Sequence, residues 1–168
     1  MEIMDIYNIN REKLGYTKIR GCTLNANEYN QGAEIWIFIK NKLLITKRAK
    51  NKSHPGKWEV TGGGSITKET SIDTILREVK EEIGITLKKE NIFFLDTSLF
   101  KNQFVDIFTA NINIDLKEIK LQLDEVDEYK LVTKNEFIKM NEEEKIVNSV
   151  FNRFIQIKDK IERNWQND

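Results

Sequence analysis

Residues 61–85, TGGGSITKETSIDTILREVKEEIGI, gather one arginine and four glutamates: Glu69, Arg77, Glu78, Glu81 and Glu82, preceded by Gly62, Gly63 and Gly64. Like charges three or four residues apart on a helix repel by about 0.2–0.5 kcal/mol per pair, so the arrangement asks for a compensating cation. With about 100° per residue and the apolar stripe centred at about 0°, Glu81 projects near about 180°, Glu78 near about 240° and Glu82 near about 280°. That predicts three carboxylates on one exposed arc. Clustered carboxylates with a backbone carbonyl are hard oxygen ligands suited to Mg²⁺ or Mn²⁺, ions commonly completed by substrate phosphates. Such an ion neutralises the glutamates, polarises a phosphoryl oxygen and lowers the pKa of a bound water for attack on phosphorus. An acidic run alone is an ordinary solvated helix face; three neighbouring features point beyond that. The glycines let the backbone come close to a ligand. Glu69 stands near the helix start, where the dipole favours an anion. Arg77 reaches Glu81 at i+4, or Glu69, and so can orient carboxylates.

The segment that must present these groups has the strongest helical pattern in the chain. Ile72, Ile75, Leu76, Val79 and Ile83 form one stripe, predicting a helix over Ser71–Ile83 stopped by Gly84. Upstream, EIWIFIK and KLLITKR flank KNK, which predicts a hairpin over about residues 34–48. The N-terminal MDIYNIN alternates and REKLG reads as a turn, giving a small hairpin or edge strand before residue 20. Downstream, NIFFLDTSLF and NQFVDIFTANINI read as strands joined at Lys101 and Asn102, and DEYKLV as a shorter one. TKNEFIKM and EEEKIVNSVFNRFIQIKDKI carry helical periodicity. Strands, helix, strands, helices is an α+β order. Trp36 and Trp58 are expected in the core or the site wall, Trp165 as a packing residue at the end, and Phe93, Phe94 and Phe104 in the core.

The 168 residues suffice for one domain with a core. Lysine plus arginine and aspartate plus glutamate number 27 each, so no global field draws nucleic acid or an anionic membrane. Cys22 is the only cysteine, which excludes an intramolecular disulfide framework and a cysteine zinc site. Without a signal-peptide pattern or a run of about 20 apolar residues, a cytoplasmic protein with no membrane partner is expected.

Residues 63–85 resemble the Nudix box of the Nudix hydrolases. The family pattern is Gly, five residues, Glu, seven residues, then Arg-Glu-apolar-x-Glu-Glu-x-Gly-apolar. Gly63, Glu69, Arg77, Glu78, Val79, Glu81, Glu82, Gly84 and Ile85 meet it. LLITKR, KWEV and DEVDEYKLVTKNEF are similar to the family's flanking segments, extending the resemblance over most of residues 34–140. It implies an α/β/α sandwich around a mixed β-sheet, spanning residues 1–168 as a single domain with a variable extension at 1–30 and a C-terminal helix at 141–168. The implied reaction is metal-dependent hydrolysis of a nucleoside diphosphate linked to another group. The small-molecule substrate is thus a nucleotide-type diphosphate, and a homodimer is favoured by the family's habit of pairing.

The resemblance places metal ligands at Glu78 and Glu82, supported by Glu81 and by the carbonyl of Gly62 or Gly63. It leaves the general base open between the box and a later loop. The catalytic candidates are therefore Glu78, Glu81, Arg77 and, from the later loop, Glu125 or its neighbour Asp124; Glu69 is an orienting group, and Glu128 is expected inside a strand. Lys47 and Arg48 are expected to face bound phosphates from the end of their strand, and His54 to be incidental. One departure stands at Lys68, where the family commonly has glycine before the first glutamate. Two alternatives keep the same fold. An isopentenyl-diphosphate-isomerase-like enzyme needs an active-site cysteine, and Cys22 is far from the glycines in sequence; a non-catalytic nucleotide-binding sensor has no need of a full glutamate set.

Overall fold

The computed structural model describes residues 2–165; the outermost residues of the expected 1–168 domain and 141–168 helix lie outside the described residues. The elements in chain order are β1 (Ile3–Tyr7), β2 (Lys13–Ile19), β3 (Asn30–Ile39), β4 (Lys42–Arg48), β5 (Trp58–Glu59), β6 (Thr61–Gly64), α1 (Ser71–Ile83), β7 (Phe93–Phe100), β8 (Gln103–Ile112), β9 (Val126–Val132), α2 (Lys134–Glu142) and α3 (Asn148–Ile161). The main sheet runs β5-β4-β3-β8-β7, with β6 also on β3 and β9 also on β4; only β3 and β8 are parallel, so the sheet is mixed. β1 and β2 form a separate antiparallel pair.

β3 explains why the chain makes two layers of helix. Its side chains alternate between the sheet's two faces. Ile35, Ile37 and Ile39 pack with Ile75, Val79 and Ile83 of α1, while Trp36 and Phe38 pack with Phe137 of α2 and with Phe154, Ile157 and Trp165 on the α3 side. A strand apolar on both faces must be covered twice. The hairpin to β4 turns on Lys40 and Asn41, at φ 50° and 60°, the doubly left-handed turn that matches strand twist.

Several expectations are corrected. β3 begins at Asn30, four residues before the expected start, because its first residues pair with β6 and β8. The glycines are a strand and not a loop: Gly62, Gly63 and Gly64 pair with β3. REKLG is not the N-terminal turn; Lys13, Leu14 and Gly15 belong to β2, and the reversal falls at residues 8–12. The C-terminal helix starts at Asn148, since Lys145 and Val147 are drawn into backbone hydrogen bonds with Trp58. Phe93 and Phe94 are exposed on the edge strand β7, at 60% and 58%, whereas Phe104 is buried as expected.

Candidate active site

The site lies where α1 crosses β6. Thr70 caps the helix, its side chain accepting from the Asp73 amide while the Asp73 side chain accepts from the Thr70 amide, and Gly84 at φ 73° closes it. Residue 68 precedes the cap with φ 70°, so Lys68 adopts the left-handed backbone that glycine takes most readily. The turn geometry survives there without the glycine, and the helix begins where the stripe predicted.

Arg77 is the hub. Its Nε donates to Glu69 Oε1 at 2.7 Å and its Nη2 to Glu69 Oε2 at 3.1 Å, a two-pronged contact. Nη1 donates to Glu78 Oε1 at 2.8 Å and Glu81 Oε2 at 3.1 Å, and Nη2 also to the Gly64 carbonyl at 3.2 Å. One planar cation thus fixes three carboxylates and a strand edge. Both partners proposed for Arg77 from sequence, Glu69 and Glu81, are engaged together. Burial raises the Glu69 carboxyl, but hydrogen bonds from Arg77, the Ile66 amide and Thr74 outweigh it and hold it below its ordinary range. The hydrogen bond to Glu69 and the neighbouring carboxylates raise Arg77 well above its own.

The exposed arc is the main correction. Glu81 is half exposed, its side chain at 52%, but Glu78 and Glu82 are each only 8% exposed. They flank the apolar stripe, and β6 rises against that flank. A Cβ on Gly63 would overlap the Glu78 carboxylate, and one on Gly62 would lie 2.5 Å from the Ala33 carbonyl, so side chains are excluded at both positions. Burial pushes the Glu78 carboxyl up against the opposing pull of Arg77 and Arg20. Glu82 is raised further, first by burial and then by the charges of Glu59, Glu78 and Glu125. Among the described residues, no hydrogen bond or ion pair reaches the Glu82 carboxylate.

The ladder decides which glycine carbonyl faces these groups. The Ser65 amide donates to the Gln31 carbonyl at 2.8 Å, and opposite residues in an antiparallel ladder alternate between bonded and unbonded pairs. Ala33 and Gly63 are therefore a bonded pair, whereas Gly62 and Gly64 turn their carbonyls to the free edge. Arg77 meets Gly64 on that edge, two residues from Gly62.

A cavity of about 570 Å³ opens over this edge, bordered by Glu78, Glu81, Glu82 and Glu125 and by the cations Arg20, Arg48, Lys52 and Arg77. Glu125, just before β9, reaches it in contact with Lys52. Arg48 borders it but is engaged: Nη1 donates to Glu59 Oε1 at 2.5 Å and Nη2 to Ser53 Oγ at 2.8 Å. Lys47 is the failed expectation. Strand alternation sends it to the other face, where its Nζ lies 3.4 Å from Glu128 and 5.8 Å from the Trp58 ring centroid. Glu128 is inside β9, as expected. Cys22 is exposed and borders neither this cavity nor its neighbour.

Five residues at the site escaped the sequence reading: Glu2 and Gln122 on the cavity border, and three charged groups closer to the carboxylates. Glu59 is adjacent through β5, and burial raises its carboxyl against the Arg48 charge. Lys52 comes from the loop after β4, and Arg20 from the far end of the N-terminal hairpin. KWEV marked Glu59's position, but no periodic signal singled out any of the three. A second cavity, about 280 Å³, lies beside the first and shares Arg20, Gly62 and Gly63 with it; its further lining includes Asn30, Gln103, and the Arg153 and Glu34 pair at 2.7 Å.

No helix among the described residues is long and apolar enough to cross a membrane. No three Asp, Glu, His or Cys side chains among them gather tightly enough to hold an ion by themselves.

Comparison with known proteins agrees with this architecture. A protein of Listeria innocua described as an uncharacterized Nudix hydrolase is 37% identical over 137 residues, covering 80% of this chain and 81% of the relative. The crystal structure of DR0079 from Deinococcus radiodurans superposes with a TM-score of 0.72 at 16% identity, over 87% of this chain and 92% of that one. The NUDIX domain of NrtR from Shewanella oneidensis, solved with ADP ribose, gives 0.64 at 16% identity, over 88% and 94%. The NUDIX domain pattern itself matches residues 29–152. With that match and the Listeria relative, the chain belongs to the Nudix hydrolase family.

Proposed function

We propose that this Nudix hydrolase cleaves a diphosphate linkage in a nucleoside-diphosphate-type small molecule by water attack at phosphorus, dependent on a divalent ion, Mg²⁺ with Mn²⁺ as a substitute. The observation that carries the reading is Glu82, a residue only 8% exposed whose carboxylate opens to the cavity without a hydrogen bond or ion pair among the described residues, one helical turn from Glu78 at the free edge of β6. A buried anion without a cation is unfavourable unless something neutralises it. The donor set fits a hard ion: Glu78, Glu82 and the Gly62 carbonyl would hold it, with Glu81 at the exposed side. Since no three carboxylates close on one point, the remaining ligands would come from substrate oxygens and water, as is common for Mg²⁺. When bound, the ion supplies charge neutralisation and a more acidic water.

The chain's own groups do the rest. Arg77 keeps Glu69, Glu78 and Glu81 oriented. Glu125, poised over the cavity beside Lys52, is the late-loop carboxylate of the reading and a candidate for accepting the water's proton. Arg48 and Lys52, held by Glu59 and Glu125, add positive charge at the cavity rim that acts on phosphate oxygens through space. The ADP ribose in the Shewanella structure supports a nucleotide-type diphosphate as substrate. An isomerase would need Cys22 at the site, and it borders neither cavity. The reading includes a cytoplasmic enzyme without nucleic-acid or membrane partners. It also includes a homodimer, supported by Leu14, Tyr16 and Ile19 exposed along β2.

The test is a chromatographic and mass-spectrometric product screen, reading nucleoside monophosphate, sugar phosphate and pyrophosphate, over nucleotide sugars, dinucleoside polyphosphates and nucleoside triphosphates, with Mg²⁺, Mn²⁺ or excess chelator, in ¹⁸O-water. Turnover of at least one diphosphate with label in the product and none in chelator is expected. Full activity in chelator, or no turnover of any diphosphate, overturns the reading.

A further inference from the structure

Four cations border the carboxylate cavity, and three are already committed. Arg77 is tied to Glu69, Glu78 and Glu81, Arg48 to Glu59 and Ser53, and Lys52 to Glu125. Arg20 differs. Its ion-pair partner is Glu2, through Nη1 at 2.6 Å, and the two side chains are 38% and 49% exposed. Exposed pairs of this kind contribute little and exchange readily.

Its position is equally particular. The Arg20 guanidinium lies against Gly64, where a Cβ would stand 3.1 Å from Nε, so the strand's lack of a side chain makes room for it. Arg20 borders both cavities, and Gly62 and Gly63 are the other residues they share. A substrate whose diphosphate lies at the carboxylates and whose other half enters the second cavity passes this guanidinium. It comes from outside residues 29–152, the segment that matches the family.

We propose that Arg20 is a substrate-binding residue that takes the diphosphate where it crosses β6, with Glu2 holding the guanidinium until a phosphate group displaces it. The proposal rests on the diphosphate reading above. A phosphate group offers more charge than a carboxylate and matches the guanidinium fork equally well, so the exchange of partners favours the substrate. The N-terminal hairpin is then part of the active site, and Glu2 is a built-in competitor.

Glu2 makes the proposal testable by sign. Affinity of the full chain for methylenebisphosphonate, a non-hydrolysable diphosphate, is measured by calorimetry at constant ionic strength, in chelator and with Mg²⁺. Arg20→Ala should weaken binding about tenfold, the scale of one lost charge-assisted contact, and Arg20→Lys should recover only part of it. Glu2→Gln should strengthen binding about two- to fivefold. In turnover, Arg20→Ala should raise KM with a much smaller change in kcat. If Arg20 merely anchors the first residues through Glu2, both Arg20→Ala and Glu2→Gln weaken binding, and the proposal fails. Unchanged affinity in Arg20→Ala also overturns it, with melting temperatures confirming that each variant is folded. Should the wild type hydrolyse no diphosphate, the functional reading falls, while the calorimetric arm still decides Arg20.

Discussion

Replacing Glu82 by glutamine should make the metal-free protein more stable, an unusual outcome for a buried polar residue. Glu82 is 8% exposed, lies one turn from Glu78, and is raised by burial and by three neighbouring carboxylates. A carboxyl whose folded-state pKa exceeds its unfolded value favours the fold while protonated. That contribution is complete below the ordinary value of 4.5 and is lost as pH rises through the elevated one. Each tenfold gain in the carboxyl's proton affinity on folding corresponds to about 1.4 kcal/mol. For a chain of this size, each kcal/mol moves the melting temperature by about 2–4 °C. In chelator the wild type should therefore melt at progressively lower temperature from pH 5 to pH 8, and Glu82→Gln should lose much of that slope and melt higher at pH 8. Divalent ion adds about 2.7 kcal/mol at a hundredfold excess over Kd, or about 5–10 °C for the wild type, and little for the variant. The assay is thermal denaturation followed by circular dichroism at constant ionic strength, with Mg²⁺ or Mn²⁺ against chelator, and with methylenebisphosphonate in a parallel series. A variant that melts lower than wild type in chelator at pH 8, yet keeps the full metal response, would show that Glu82 is a structural partner and refute the reasoning.

Arg77→Ala should lower kcat by about 100-fold or more, because orientation of Glu69, Glu78 and Glu81 is lost together, and Arg77→Lys should not restore it, since an ammonium cannot reproduce the fork; steady-state kinetics decides both. Gly63→Ala should cost about 1–3 kcal/mol in denaturant unfolding and abolish turnover, as its Cβ overlaps the Glu78 carboxylate. Glu125→Gln should slow kcat by at least about tenfold, while Glu128→Gln and Lys47→Ala, on the far face of the β4 and β9 pair, should remain within about twofold of wild type. A normal Glu125→Gln would move the late carboxylate elsewhere.

What the sequence determined best is the element with the strongest local periodicity. The stripe from Ile72 to Ile83 with Gly84 behind it dictates α1 to the residue, and the resemblance to the Nudix box nominated the glutamates on it. The two helical layers were legible only through the family resemblance; the structure shows their cause in β3, apolar on both faces. Tertiary structure decided what depends on segments distant in the chain. Whether Glu78 and Glu82 were exposed turned on β6, which comes from before the helix and lifts its backbone against their flank; helical angle alone cannot report a neighbour. That three glycines make a strand follows from pairing with β3, since glycine has little strand preference of its own. The same ladder turned the Gly62 carbonyl outward and that of Gly63 inward, a choice the spacing left open. Lys47 and Arg48 are adjacent in sequence, and only the pleat of β4 placed one over Trp58 and the other at the cavity. Arg20, Lys52 and Glu59 sit in no pattern, because a single side chain on a hairpin end, a loop or a two-residue strand has no period to betray it; the folded chain alone brings them to the carboxylates.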